Sequence, residues 1–195
     1  DTIYMLARIN KEETTMRMIQ ALSRYLRLSL SKGNDIVTVE DELENVKSYL
    51  EIQQIRNRDL FSYKVECQVD AAHTTVLKLV LQPLVENAVK YGFQDIFEGG
   101  QIRITVWKEE GELYLEVYNN GTPMEADMVQ KINGMNKLPL GEMKNSFPDK
   151  RHGYGVVNIL TRLRLKYGDG AAFYCKAEAD GTTCTIKIPQ GDGQE

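Results

Sequence analysis

The hydrophobic period of the chain changes near residue 58, and that change limits the architectures open to it. Before it, Met5, Ile9, Met16, Ile19, Leu22, Leu26 and Leu30 recur at helical spacings and form one apolar stripe. Turn residues Ser31-Lys32-Gly33-Asn34-Asp35 interrupt the stripe. Thr38, followed by Glu40, Asp41 and Glu42, reads as the N-cap and acidic first turn of a second helix. Leu43, Val46, Leu50 and Ile52 or Gln53 carry that helix to near Arg58. Two helices with a short connection predict an antiparallel hairpin, which needs further apolar surface to pack on. A second chain can supply it.

After residue 58 the period falls to two. Phe61, Tyr63, Val65, Cys67 and Val69 alternate as a half-buried strand does. Leu79 to Tyr91 reads as a helix with Pro83 in its first turn. Ile102, Ile104 and Val106, then Leu113, Leu115 and Val117, give two strands around a Glu110-Gly111 turn. Residues 125–150 are polar and broken by Gly134, Pro139, Gly141 and Pro148, so a long functional or mobile loop is expected. Gly155 to Tyr167 reads as a helix, and Phe173–Lys176 and Cys184–Ile188 as closing strands. The chain thus divides into residues 1–58 and 59–195.

With 195 residues, 42% apolar and 27% charged, the chain can bury a core without metals or disulfides. The net charge of −4 is shared evenly between residues 1–75 and 76–195, which excludes a basic nucleic-acid footprint or a polybasic membrane tract. No apolar run is long enough to cross a bilayer and no signal peptide opens the chain. Residue 1 is Asp, so a fragment of a longer protein is expected. Cys67, Cys175 and Cys184 form no C-x-x-C and adjoin no histidine, so thiols of a reducing compartment are expected. His73 and His152 share no ligand spacing, so no zinc site is expected.

Four segments carry candidate chemistry. Asn87, Lys90 and Tyr91 fall on one face of an α-helix. An amide oxygen, an ammonium and a ring there suit Mg²⁺, phosphate and a base, or else form an ordinary solvated helix end. Val117-Tyr118-Asn119-Asn120-Gly121-Thr122-Pro123 follows a strand. Its amide can meet an exocyclic amine while Gly121 admits a flat ring, or the segment is a plain Asn-Gly turn. Gly153-Tyr154-Gly155 precedes a helix, where free backbone N–H groups can hold phosphate oxygens, or the glycines make a flexible helix entry. Asp180-Gly181-Thr182-Thr183 reads as a turn into the last strand and means little alone.

In this order and spacing the four segments resemble the N, G1, G2 and Gly-Thr boxes of the GHKL ATP-binding superfamily. Leu22-Ser23-Arg24-Tyr25-Leu26-Arg27, Val39-Glu40-Asp41-Glu42-Leu43, Tyr49-Leu50-Glu51-Ile52-Gln53-Gln54-Ile55-Arg56 and Leu81-Gln82-Pro83-Leu84-Val85-Glu86-Asn87-Ala88 narrow the resemblance to LytS/YesM-like sensor histidine kinases. The resemblance covers nearly the whole chain. It implies a two-layer α/β sandwich of the Bergerat type, a mixed sheet covered on one face by helices 79–91 and 155–167, preceded by the helical hairpin. It assigns Asn87 to Mg²⁺, Lys90 and Tyr91 to phosphate and adenine, and Asn119 with Gly121 to the adenine pocket. Gly153 and Gly155 match the phosphate loop, and Thr182 the water-mediated adenine contact. Asn119 stands where the family has an acid and Pro123 where it has a second glycine. Residues 125–150 would be the ATP lid, with Lys131, Lys137, Lys144, Lys150 and Arg151 as basic residues of it.

The resemblance further implies ATP and Mg²⁺ as ligands, a response regulator as partner and a homodimer through the N-terminal helices. It places the chain in the cytoplasmic part of a membrane-anchored bacterial sensor kinase, without direct contact with membrane or nucleic acid. The family's phosphoacceptor histidine precedes a Phe early in the first helix, and residues 1–58 hold no histidine. His73 and His152 read as loop histidines, so ATP binding without autophosphorylation is expected of this chain. Two alternatives stay open. A hydrolytic GHKL clamp needs a glutamate four residues before Asn87, where Pro83 stands, although Glu86 adjoins Asn87. A non-catalytic interaction module would follow if Asn119 and Pro123 disable the pocket.

Overall fold

The computed structural model describes residues 12–30, 35–143 and 154–190. Met5, Ile9, most of the turn at 31–35, and Lys144, Pro148, Lys150, Arg151, His152 and Gly153 lie outside them. Helix α1 spans Glu13–Ser29 and packs along α2, Val39–Arg56, with Ala21 buried between them. Arg24 Nη2 donates to Glu51 Oε2 at 2.6 Å across the pair. The stripe is only half used, because Leu22, Leu26 and Leu30 stay 44%, 44% and 71% exposed.

Thr38 caps α2 as expected, its Oγ1 accepting from the Asp41 N–H at 3.0 Å, a contact worth about 1 kcal/mol. The connection before it holds a short strand absent from the sequence reading, β1 (Ile36–Thr38). It pairs antiparallel with β3 (Thr75–Leu77), placing Ile36 opposite Leu77. The second helix is therefore stitched by backbone hydrogen bonds to residues well beyond position 58.

The main sheet contains β2 (Phe61–Cys67), β4 (Gly100–Glu109), β5 (Glu112–Asn120), β6 (Ala172–Glu178) and β7 (Gly181–Pro189), in the order β2-β4-β5-β7-β6. Only β2 and β4 run parallel, joined by a crossover that contains β3 and α3 (Gln82–Asn87). Glu110 and Gly111 both take positive φ, 49° and 79°, as a tight hairpin between right-twisted strands requires. The period-two pattern sends Ile102, Ile104, Val106, Leu113, Leu115, Val117, Ile186 and Ile188 to one face. There they meet Val39, Val46 and Leu50 of α2, Val85 of α3 and Val156, Ile159, Leu160 and Leu163 of α6 (Tyr154–Tyr167). The opposite face is open, with Trp107 stacked on Tyr114 at 5.0 Å and Arg103 over Tyr118 at 4.8 Å.

Two expectations need correction. The segment read as a loop holds α4 (Ala126–Gly134), a 3-10 turn (Met135–Lys137) and α5 (Leu140–Met143). Ile132, Met135 and Met143 are buried, and this apolar anchoring outweighs the nearby Gly and Pro. Cys175 and Cys184, expected as thiols, form a disulfide across directly paired positions of β6 and β7, leaving Cys67 as the free cysteine among the described residues.

Candidate functional site

The site is built around α3 and the π-helical turn Ala88–Gly92 that continues it. Pro83 sits in the first turn of α3, where its missing N–H leaves no bond unmade. The chain enters α3 through Leu79, whose φ of 59° is strained for a branched residue. The Glu42 carboxylate of α2 holds this entry. It is 1% exposed and accepts the N–H groups of Leu79 and Leu81, each at 2.8 Å. Burial pushes the Glu42 carboxyl above the usual carboxylate range, against the lowering effect of the Leu81 and Leu79 N–H groups. No side chain of α3 itself caps the helix, so a residue from another element fills that role.

Asn87 is the last α-helical residue before the π turn. The turn widens the helix immediately after Asn87, so Lys90 and Tyr91 do not follow it at the α-helical spacing that the sequence implied. Asn87 is half-buried and its side chain makes no hydrogen bond among the described residues. Lys90 is exposed, with Nζ 4.8 Å from the ring centre of Tyr91.

Gly92 ends the π turn against the G1-like segment. A Cβ at Gly92 would lie 2.2 Å from Asn119 Nδ2, so the glycine leaves the space that the Asn119 carboxamide fills. Thr122 N donates to Gly92 O at 2.9 Å. Gly121 turns with φ +109°, and a Cβ there would lie 2.2 Å from Gly92 O. Asn119 is 5% exposed; its Nδ2 donates to Asn120 O at 2.9 Å, and its Oδ1 is engaged by no described residue. Asn120 performs a separate task, accepting from Gln101 N at 2.6 Å and donating to Gly99 O at 3.1 Å, which ties the start of β4.

Thr182 faces Asn119 in the β5–β7 register. It is 6% exposed and its Oγ1 accepts the Met124 N–H at 2.9 Å, fastening the chain that leaves Pro123. Asn119, Gly121, Thr182 and the Gly92 end of the π turn thus form one cluster, bonded directly or through neighbours. Gly155 lies apart from these bonds, itself exposed in the first turn of α6, where a Cβ would meet nothing within 4 Å. Gly153 lies outside the described residues.

The first half of the segment read as a lid is anchored to an edge of the sheet. Asn133 donates to Cys175 O at 2.9 Å and accepts from Cys175 N at 2.8 Å. Asn136 does the same for Phe173, at 2.7 Å and 3.0 Å. Each carboxamide imitates a peptide unit and closes the open edge of β6. Lys131 and Lys137 are exposed on this segment.

Sequence reasoning missed Glu42, Asn45 and Gln82. Each is buried, at 1%, 2% and 7% exposure. Asn45 Nδ2 donates to Gln82 Oε1 at 2.7 Å, and Gln82 Nε2 donates to Glu86 Oε1 at 2.6 Å and to Tyr25 Oη. A signal existed. Glu42 and Asn45 interrupt the apolar stripe of Val39, Leu43, Val46 and Leu50, and a polar residue on a buried stripe needs a partner.

The described residues contain no cluster of three or more His, Cys, Asp or Glu able to hold a metal, and no helix long and apolar enough to cross a membrane. A single amide ligand in a phosphate-binding site fits Mg²⁺, which is commonly held by few protein groups together with substrate phosphates. The Asn87 side chain, with no hydrogen bond among the described residues, is chemically of that kind.

Residues 72–192 match the family described as histidine kinase-, DNA gyrase B- and HSP90-like ATPase, and residues 1–61 match the histidine kinase family. The sensor histidine kinase YesM of Bacillus subtilis is 28% identical over 190 residues, 97% of this chain and 30% of that protein. The sensor protein kinase HptS of Staphylococcus aureus is 29% identical over 177 residues, 90% of this chain and 32% of that protein. The chain therefore spans about a third of the length of these relatives. The histidine kinase ThkA, solved in complex with the response regulator TrrA, superposes with a TM-score of 0.57 at 16% identity, covering 97% of this chain and 49% of that one. Together with the α/β sheet, these matches show that the chain belongs to the histidine kinase-, DNA gyrase B- and HSP90-like ATPase family, with a histidine kinase family match over its first 61 residues.

Proposed function

We propose that the chain binds Mg-ATP between α3, α6 and the segment 125–143, and that its parent transfers the γ-phosphoryl group to a histidine and then to a response-regulator aspartate. The observation that carries the reading is the Asn119 cluster. A buried amide, pinned through Nδ2, keeps Oδ1 as an open acceptor beside two close-packed glycines, Gly92 and Gly121. An acceptor so placed suits the exocyclic amine of adenine. Asn87 would hold Mg²⁺ through its amide oxygen, and Mg²⁺ would neutralise charge on the phosphates. Lys90 would meet the phosphate oxygens, and the N-terminus of α6 at Gly155 would supply backbone N–H groups. Phosphoryl transfer relies on this positioning and charge neutralisation more than on covalent help from the protein.

The partners follow from the same reading. Leu22 and Leu26 of α1 and Leu30 at its C-terminal end repeat every four residues and remain exposed, which supports a second copy of the parent packing there. ThkA binds a response regulator, which supports the same partner class here. We place the chain on the cytoplasmic side of a membrane-anchored parent, where the Cys175–Cys184 bond would be open to reduction. The hydrolytic alternative is disfavoured, because Pro83 occupies the water-activating position and Glu86 is tied to Gln82. The test is transfer of γ-label from ATP to a histidine of the full-length parent. Acid-labile label that disappears with Asn87→Ala supports the reading, and label that persists contradicts it.

A further inference from the structure

We infer that Tyr25, Asn45 and Gln82 are positioning residues that couple helix α1 to the Asn87 end of α3. This rests on the nucleotide reading for its binding arm alone. Gln82 is the first residue of α3 and joins three helices. Its Oε1 accepts from Asn45 of α2, while its Nε2 donates to Tyr25 of α1 and to Glu86 within α3. Asn45 Oδ1 in turn accepts from Ser29 Oγ of α1 at 3.1 Å. Every polar atom of the two carboxamides that can bridge helices is engaged, and a satisfied buried network selects one register where apolar packing alone would tolerate several.

Helix α3 is six residues long, about 9 Å at the α-helical rise, with Gln82 at one end and Asn87 at the other. It has no side-chain cap of its own. Glu42 fixes its entry through the Leu79 and Leu81 N–H groups, so α2 acts as the fixed support. Tyr25 belongs instead to α1, whose outer stripe of Leu22, Leu26 and Leu30 is exposed. A shift of α1 along α2 pulls on Gln82 and tilts α3, together with the π turn that continues it, between the Glu42 support and the Gly92 joint. Asn87 makes no side-chain bond among the described residues, so it follows the helix. The Gln82–Glu86 bond closes the same turn and keeps the Glu86 carboxylate toward Tyr49 of α2, where its charge contributes, after burial, to raising the Tyr49 phenol to about 12.

The test compares Tyr25→Phe with Tyr49→Phe. Both remove a phenol oxygen from one aromatic pair, whose rings lie 6.3 Å apart, but only Tyr25 bonds to Gln82. The probe is β,γ-imido-ATP titrated with and without Mg²⁺. We expect Tyr25→Phe to reduce the Mg²⁺-dependent gain in affinity by about 3- to 10-fold, the factor of one net hydrogen bond. Affinity without Mg²⁺ should stay within about twofold, and Tyr49→Phe should change neither. A parental Mg²⁺ gain in folded Tyr25→Phe, or equal losses in both variants, overturns the inference. The Asn87 side-chain amide resonance in the ligand-free protein provides a second readout that needs no nucleotide. A shift in Tyr25→Phe but not in Tyr49→Phe supports the coupling even if the parental chain binds no nucleotide, and no shift in either overturns it.

Discussion

The Asn119 carboxamide occupies the space that a side chain at Gly92 would need, 2.2 Å from its Cβ position. The end of the π turn and the end of β5 are therefore built as one joint. Gly92→Ala forces either the carboxamide or the helix end to move, and overpacking of this kind costs about 1–3 kcal/mol. We expect that loss in urea unfolding, together with loss of nucleotide binding. Unchanged stability would show that the two segments are not packed this closely.

Asn119→Asp separates the two roles of the side chain. It removes the Nδ2 donor to Asn120 O and places a carboxylate oxygen against that carbonyl. Stability without ligand should fall by about 1–2 kcal/mol. Nucleotide affinity should hold or tighten, because a charged acceptor meets the adenine amine more strongly. Complete loss of binding in folded Asn119→Asp would contradict the adenine assignment.

Asn133→Ala should loosen the 125–143 segment at Cys175, while Asn136 still holds Phe173. It deletes two hydrogen bonds to Cys175 and exposes the edge of β6. Amide hydrogen exchange at Cys175 should accelerate about tenfold or more, given a loss of about 1–3 kcal/mol. Parental protection of that amide would show that the carboxamide does not seal the edge.

The disulfide predicts a simple thiol count. Cys67 is exposed, whereas Cys175 and Cys184 are joined. Oxidised, denatured protein should react with one equivalent of a thiol reagent, rising to three after reduction. Three equivalents without reductant would contradict the bond.

Much of the sheet was legible because period two survives in a half-buried antiparallel sheet, as Ile102–Val106 and Leu113–Val117 illustrate. The Thr38 cap was legible because it is local. Strand β1 was not, since three residues carry too little alternation to stand out. The helices of 125–143 were hidden by Gly134, Pro139 and Gly141, and only the burial of Ile132, Met135 and Met143 explains why they form. Cys175 and Cys184 meet because the register that pairs Glu178 with Gly181 also pairs them. Reading β6 and β7 at their full lengths would have shown this. In the site, Asn119, Gly121 and Thr182 were legible from motif order, and the structure sets them side by side. Their ligand roles rest on the resemblance. Glu42, Asn45 and Gln82 gain their significance only from residues 37 to 39 positions away, which no local pattern records.

If Asn87 and the Asn119 cluster together make a Mg²⁺-dependent ATP site, calorimetric titration with a non-hydrolysable ATP analogue will reveal it. Binding should be saturable and should strengthen with Mg²⁺. In Asn87→Ala the Mg²⁺ effect should vanish while stability stays within about 0.5 kcal/mol, because the side chain holds no partner among the described residues. Absence of binding at millimolar analogue, or a Mg²⁺ effect that survives Asn87→Ala, would contradict it.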